Sequence, residues 1–309
     1  MPRLVSLLCL AATALGCTAA ESRHAAAAIT DDFGRPVVLA AAPHRIVSLV
    51  PSITELIVAL GAGERLAGRT DFDSEPTLQH LPSVGRGLTP SVEGLAGLRP
   101  DLVILWASGG GGGEDALVTH LGELGIPVYG VKTESVGDFE RHAAQLGTML
   151  GERRRADSLV AAIDEGLLGV RQAMEGADTV TVLYVVWHDP PMTSGPGTFI
   201  DSMITIAGGR NIFGDAPSEW PQVSMEEIVR RDPDVLVLPS RQAGDSAGVA
   251  WVYRTPGWRD LRATRGGRLI IVQADLFNRP GPRVVEAAAE LASFLHPDLI
   301  PTAIGVERE

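Results

Sequence analysis

The chain has 309 residues, 45% of them hydrophobic, and a formal net charge of −12. That length and apolar content predict two packed cores and exclude a disordered polymer. The negative balance argues against nucleic acid and against adhesion to anionic membranes, but leaves a small neutral or zwitterionic ligand open.

The first element in chain order reads as an export signal. Arg3 gives a positive start, and Leu4 to Gly16 (LVSLLCLAATALG) is an apolar run of 13 residues. A stable membrane span takes about 20. The run ends in ALGC at Cys17, which resembles a bacterial lipoprotein signal whose cysteine is acylated and becomes the new N-terminus; ordinary cleavage near Gly16 or Ala20 is the alternative. Either way the protein is expected in the periplasm or on the outer face of the cell membrane, touching the membrane only through a lipid on Cys17. Cys9 and Cys17 are the only cysteines, so no disulfide or thiol metal site is expected after processing. Thr18 to Ala28 reads as a tether.

Ile46 to Val50 predicts a buried strand from its β-branched content. Pro51-Ser52 then opens a helix, with Ser52 as N-cap and Glu55 completing a capping box. Leu56, Ile57 and Leu60 give the apolar stripe and Gly61 ends it. Strand-turn-helix in this order is a parallel α/β unit. Further strands are expected at 102–106, 127–131, 181–187, 235–239 and 268–273, and helices at 53–60, 91–98, 114–124, 136–150, 198–207, 224–231 and 283–296. Glu152 to Glu175 lacks Pro and carries Leu159, Ile163, Leu167, Val170 and Met174 at helical spacing. It predicts a helix about 36 Å long. Such a helix either joins two lobes as a stiff spine or is one more amphipathic packing element.

The chain also repeats itself. Ser91 to Leu105 (SVEGLAGLRPDLVIL) matches Ser224 to Leu238 (SMEEIVRRDPDVLVL) at an offset of 133 residues (224 − 91). Ser91/Ser224, Glu93/Glu226, Pro100/Pro233, Asp101/Asp234 and Leu105/Leu238 coincide. Each copy reads as a capped helix, a Pro-Asp turn and an apolar strand. Two copies are too few for a solenoid and suggest two similar α/β lobes with a ligand where they face each other. Glu93 and Glu226 either pair with their capping serines or form a matched pair of surface charges suited to a two-fold, arginine-bearing partner.

Little else carries local chemistry. Gly109 to Gly113 is followed by Glu114-Asp115 rather than Lys-Ser, so it reads as a flexible rim loop and not a phosphate cradle. None of the seven histidines has metal-ligand spacing to another, and no Gly-x-Ser-x-Gly elbow appears. What stands out is a set of aromatics at strand ends: Trp106, Trp187 with His188, Trp220 and Phe277. Ends of parallel strands are where α/β proteins bind ligands. Core packing is the alternative use of such side chains.

At these residues the chain resembles the helical-backbone binding proteins for metal chelates, specifically the periplasmic cobalamin-binding proteins of bacterial ABC importers. The segments that carry the resemblance are RIVSLVPSITELIVALG (45–61), LRPDLVILW (98–106), PPMTSG (190–195), AGGRNIF (207–213), WPQVSMEEI (220–228) and DLFNRPGPR (275–283). The resemblance implies an α/β fold of the class III periplasmic binding protein kind, with two Rossmann-like lobes of parallel sheets bridged by one long α-helix. Residues 1–17 would be the signal, 18–43 the tether and N-terminal segment, 44–150 the first lobe, 151–176 the bridging helix and 177–309 the second lobe. It implies that cobalamin, or a related corrinoid, sits between the lobes as transported ligand, and that no catalytic cofactor or enzyme activity is present. Trp106, Trp220, Asp275 and Arg279 match cleft positions, and Trp187 joins them on the strand-end argument. The acids matching Glu93 and Glu226 would dock on arginines of the permease, which works with its ATPase. Three departures touch the first lobe and the Asp275 loop. Gly85-Arg86-Gly87 stands where an aromatic is usual, Leu276 replaces a Trp, and Phe72 stands in for a Tyr.

Haem or a ferric siderophore is the alternative cargo. Haem would want an axial ligand, for which His188 and Tyr184 are the candidates; a siderophore would want several arginines, and only Arg279 and Arg86 offer themselves. A metallocluster or chelatase-type enzyme on a similar scaffold is the remote alternative, and the lack of cysteine counts against it.

Overall fold

The computed structural model describes residues 29–87, 89–107, 113–241 and 244–299. The signal, Cys17, the tether at 18–28 and most of the glycine run lie outside these residues.

Two sheets form. In the first lobe four parallel strands lie in the order Leu66–Gly68, Ile46–Ser48, Leu102–Trp106, Val128–Val131. In the second, Val180–His188, Val235–Ser240 and Leu269–Gln273 are parallel neighbours. Gly209–Asn211 pairs parallel with the start of Val180–His188, and Pro191–Thr193 turns back antiparallel on its end. The second sheet is therefore parallel with one antiparallel edge.

The sequence repeat is a structural repeat. Ser91 and Ser224 each accept a cap hydrogen bond, from the Gly94 and Glu227 backbone N–H groups. Each helix closes through a left-handed residue, Arg99 at φ 47° and Asp232 at φ 38°. These are the two non-glycine residues with positive φ among the described residues, again 133 apart (232 − 99). A proline follows each, so the helix cannot continue. The repeated aspartates then fasten the neighbouring strand. Asp101 accepts from the His44 and Arg45 N–H groups at 2.8 and 2.9 Å, and Asp234 from the Thr181 N–H at 2.9 Å. The matching pairs Ile46/Leu102 and Val182/Val235 are thereby set in register.

The long helix is Arg153–Ala173, 21 residues or about 32 Å. It runs unbroken through Gly166 and Gly169. Its apolar face (Ala156, Ile163, Leu167, Val170) belongs to one continuous core that includes Ile46 and Ile104 of the first sheet and Val182 and Val237 of the second. The spine alternative is the correct one. Gly166 lets the C-terminal helix Val284–Leu295 approach: a Cβ there would lie 2.6 Å from a Val285 methyl.

One expectation fails at the first helix. It spans Pro51–Ala59, its N-cap is Val50, and no side chain caps it. Pro51 takes the first helical position, which its fixed φ favours. Ser52 is therefore buried inside the helix, and Glu55 points elsewhere, as described below.

The first lobe also buries a polar network. Asp31 and Asp32 accept from the Gly130 and Lys132 N–H groups and so clip the N-terminal segment to the edge strand. His142 is fully buried, with Nδ1 2.8 Å from the Tyr129 hydroxyl and Nε2 3.1 Å from Asp32 and 3.3 Å from the Lys132 carbonyl. Burial and then Arg141 hold its pKa below the ordinary 6.5, against the opposing pull of the Lys132 carbonyl, Asp32 and Asp138. A histidine with a lowered folded pKa binds fewer protons folded than unfolded. Stability should therefore fall as pH drops below about 6.5 towards the folded pKa. Thermal melts between pH 7.5 and 5.5 should show this slope, and His142→Gln should flatten it; an unchanged slope would remove His142 as its source.

Candidate ligand-binding cleft

Parallel strands deliver their C-terminal ends to one side, and here both lobes turn that side to a shared cleft of about 370 Å³. The first lobe supplies Pro51 and Ser52 from the first turn of its first helix, Trp106 from a strand end, and Thr133 and Glu134 from the loop after Val128–Val131; the second supplies Phe199, Ile200, Trp220, Asn278 and Arg279. A larger hollow of about 850 Å³ lies at the opposite end of the second lobe, where Val180, Val235 and Leu269 begin their strands. It involves one lobe only and lies at the wrong end of the strands for ligand binding in an α/β sheet.

The floor of the cleft is tied across the lobes. The Phe199 N–H, at the start of helix Phe199–Ile206, donates to the Glu134 carbonyl at 2.8 Å. With the continuous core and spine, this bond joins the two lobes beneath the cleft.

Trp220 is placed by the two segments PPMTSG and WPQVS, which lie side by side. Thr193 N–H donates to Pro221 O at 3.2 Å, Gly195 N–H to Glu219 O at 2.7 Å, and Val223 N–H to Pro191 O at 2.9 Å. Gly195 is required by this closeness, because a Cβ would sit 2.0 Å from the Ser218 carbonyl oxygen. Trp220 remains 40% exposed over the cleft, an unusual position for so large an apolar ring. Trp106 faces it half-buried from the end of its strand.

Arg279 is held from behind. Its Nε donates to the Asp275 carbonyl at 3.2 Å, and its Nη2 lies 3.3 Å from the Asp275 carboxylate and 3.6 Å from that of Glu55. Glu55 also faces Arg283 at 3.8 Å. Burial raises the Glu55 pKa, while the two guanidiniums pull it back.

The other expected ligand residues stand outside the lining. Asp275 acts as a partner of Arg279. Phe72 is half-buried with the Arg86 guanidinium 5.5 Å over its ring. Trp187 is 58% exposed, and its Nε1 donates to the Asp189 carbonyl. His188 stacks on Trp251 at 4.4 Å. Phe277 is fully buried, so it serves the core rather than a pocket.

Three lining or supporting residues were not legible in the sequence. Thr133 is 3% exposed, and its hydroxyl has no hydrogen-bond partner among the described residues, so a donor and acceptor stand free in the cleft wall. Glu134 pairs with Lys132. Glu55 stood at a position that suggested helix capping. Nothing in sequence spacing signals Thr133.

Glu93 and Glu226 occupy the first turns of the repeated helices, both exposed and without an ion pair among the described residues. Neither bonds its capping serine, which removes that alternative.

Comparison with known proteins fits this architecture. The sequence profile described as "Periplasmic binding protein" matches residues 46–276. The chain belongs to this family. It is 30% identical over 276 residues to the ABC transporter substrate-binding lipoprotein YvrC of Bacillus subtilis, covering 87% of this chain and 85% of the relative. The vitamin B12-binding protein of Pectobacterium carotovorum is 28% identical over 258 residues, 82% and 89% of the two chains. Among solved structures, the periplasmic heme-binding protein RhuT from Roseiflexus superposes with a TM-score of 0.73 at 28% identity, over 83% of this chain and 99% of RhuT. This periplasmic binding protein is thus a non-catalytic substrate-binding component of an ABC importer, with the two-lobe class III fold.

Proposed function

We propose that the cargo is cobalamin or a related corrinoid, held in the inter-lobe cleft and delivered to an ABC permease and its ATPase. The observation that carries this reading is the engagement of both axial-ligand candidates for haem. The Tyr184 hydroxyl is buried and donates to Asn278 Oδ1 at 2.7 Å, and burial pushes its pKa up, away from the phenolate a metal would need. His188 is stacked on Trp251, outside the lining. The lining instead offers flat apolar surface from Trp106 and Trp220, and uncharged or charge-compensated hydrogen-bonding groups from Thr133 and Arg279. These suit a macrocycle edged with neutral amides. A corrinoid is larger than the cleft, so it would enter edge-first and leave part of itself at the mouth.

The similarity to a vitamin B12-binding protein supports the same cargo, and the similarity to a heme-binding protein keeps haem as the second reading. Acylation of Cys17 is part of the proposal, supported by the lipoprotein character of YvrC; so is docking through Glu93 and Glu226. Absorption spectroscopy tests the cargo. Haemin mixed with the mature domain should keep the spectrum of haemin without a protein axial ligand. A Tyr- or His-ligated Soret band would put haem in place of the corrinoid.

A further inference from the structure

The charges behind the cleft wall balance, and the balance has a consequence for selectivity. Arg279 reaches the lining, but its Nη2 faces two carboxylates, Asp275 at 3.3 Å and Glu55 at 3.6 Å. Arg283 lies 3.8 Å from the second oxygen of Glu55. Two cations and two anions are thus gathered where the first-lobe helix meets the second-lobe loop. The Glu55 side chain is 13% exposed and that of Arg279 19%, so solvent screens this pair little, whereas Asp275 at 41% and Arg283 at 36% are open to water.

The contacts compensate charge without using up hydrogen bonds. Arg279 Nη2 and Arg283 Nε have no hydrogen-bond partner, and no protein hydrogen bond from Arg279 Nη1 is present among the described residues. A guanidinium in this condition still donates to a neutral carbonyl, but its positive charge is largely spent on its own carboxylates. An anionic group brought to Arg279 would also meet Glu55 and Asp275 at close range, and like charges at close range discriminate strongly against a partner.

We propose that Glu55 is a specificity-determining residue that, by compensating Arg279 from behind the cleft wall, biases the cleft against anionic chelates and towards neutral, amide-bearing ligands. The proposal rests on the cleft being the cargo site, as argued above. Glu55 itself does not touch the ligand; it acts through Arg279.

Calorimetric titration of wild type and Glu55→Gln with haemin, which carries two carboxylates, and with cyanocobalamin tests it. Glu55→Gln should bind haemin about tenfold or more tighter than wild type, with cyanocobalamin affinity within about threefold. Glu55→Asp, which keeps the charge, should behave like wild type, and adding Arg279→Gln to Glu55→Gln should erase the gain. An unchanged haemin affinity in Glu55→Gln, parallel weakening for both ligands, or a gain that survives Arg279→Gln would overturn the proposal. Should Glu55→Gln not fold, Asp275→Asn removes the more exposed carboxylate beside the same guanidinium, and the same rise in haemin affinity is expected. Failure of wild type to bind cyanocobalamin would defeat the proposed cargo, while the ratio of haemin affinities would still decide the role of Glu55.

Discussion

Lysine at both Glu93 and Glu226 should abolish uptake of the cargo while leaving its binding to the free protein unchanged. The two acids occupy equivalent positions on equivalent helices, 133 residues apart (226 − 93), exposed and unpaired among the described residues. A neighbour shows the contrast: Glu227, one residue on, is engaged by Arg230 and Arg231. A pair of free carboxylates at matching positions of two similar lobes would suit a partner that is itself two-fold. Under the proposed docking, replacing each attraction by a like-charge contact would cost several kcal/mol. Neither residue lines the cleft, so titration of the purified double variant should match wild type. Uptake of labelled cobalamin by vesicles carrying the cognate transporter reads the other half of the prediction. Normal uptake would refute the docking role, and lost ligand binding would show that the acids act on the cleft.

Trp220→Ala should cost about 2 kcal/mol or more of binding free energy, roughly a 30-fold rise in Kd. The indole stands 40% exposed in the free protein, held over the cleft by the laced segments 191–195 and 219–223. Ligand binding would cover most of that surface, and apolar burial is worth about 25 cal/mol per Å². Unchanged affinity would take Trp220 out of the site. Trp187→Ala is the natural control: that ring is more exposed but lies outside the lining.

How much of this was legible in the sequence depended on whether a signal was local. The expected strand 102–106 and helix 136–150 match Leu102–Trp106 and Val136–Leu150 to the residue, and the helix carries a capping box at Ser135. The repeat was legible because Ser, Pro and Asp each do a fixed job, capping, stopping and clamping, at a fixed spacing. The hairpin strands at Ile29–Thr30, Pro36–Val37, Gly85–Arg86 and Thr89–Pro90 were not expected, since two residues carry no periodicity. Glu55 was misread for a related reason. A Ser-x-x-Glu spacing suggests a capping box, but Pro51 moves the helix start and frees Glu55 to face the other lobe. Of the strand-end aromatics, Trp106 and Trp220 line the hollow between the lobes, Trp187 lies outside it, and Phe277 is core. Thr133 and the His142 network depend on segments far apart in sequence, which no spacing reveals.

Calorimetric titration of the mature domain with cyanocobalamin, with haemin as control, tests the central claim most directly. One-to-one cyanocobalamin binding is expected, tighter than haemin, with a negative heat-capacity change from burial of the tryptophan surfaces. Tight haemin binding with no response to cyanocobalamin would contradict it, leaving the importer fold in place with a different cargo.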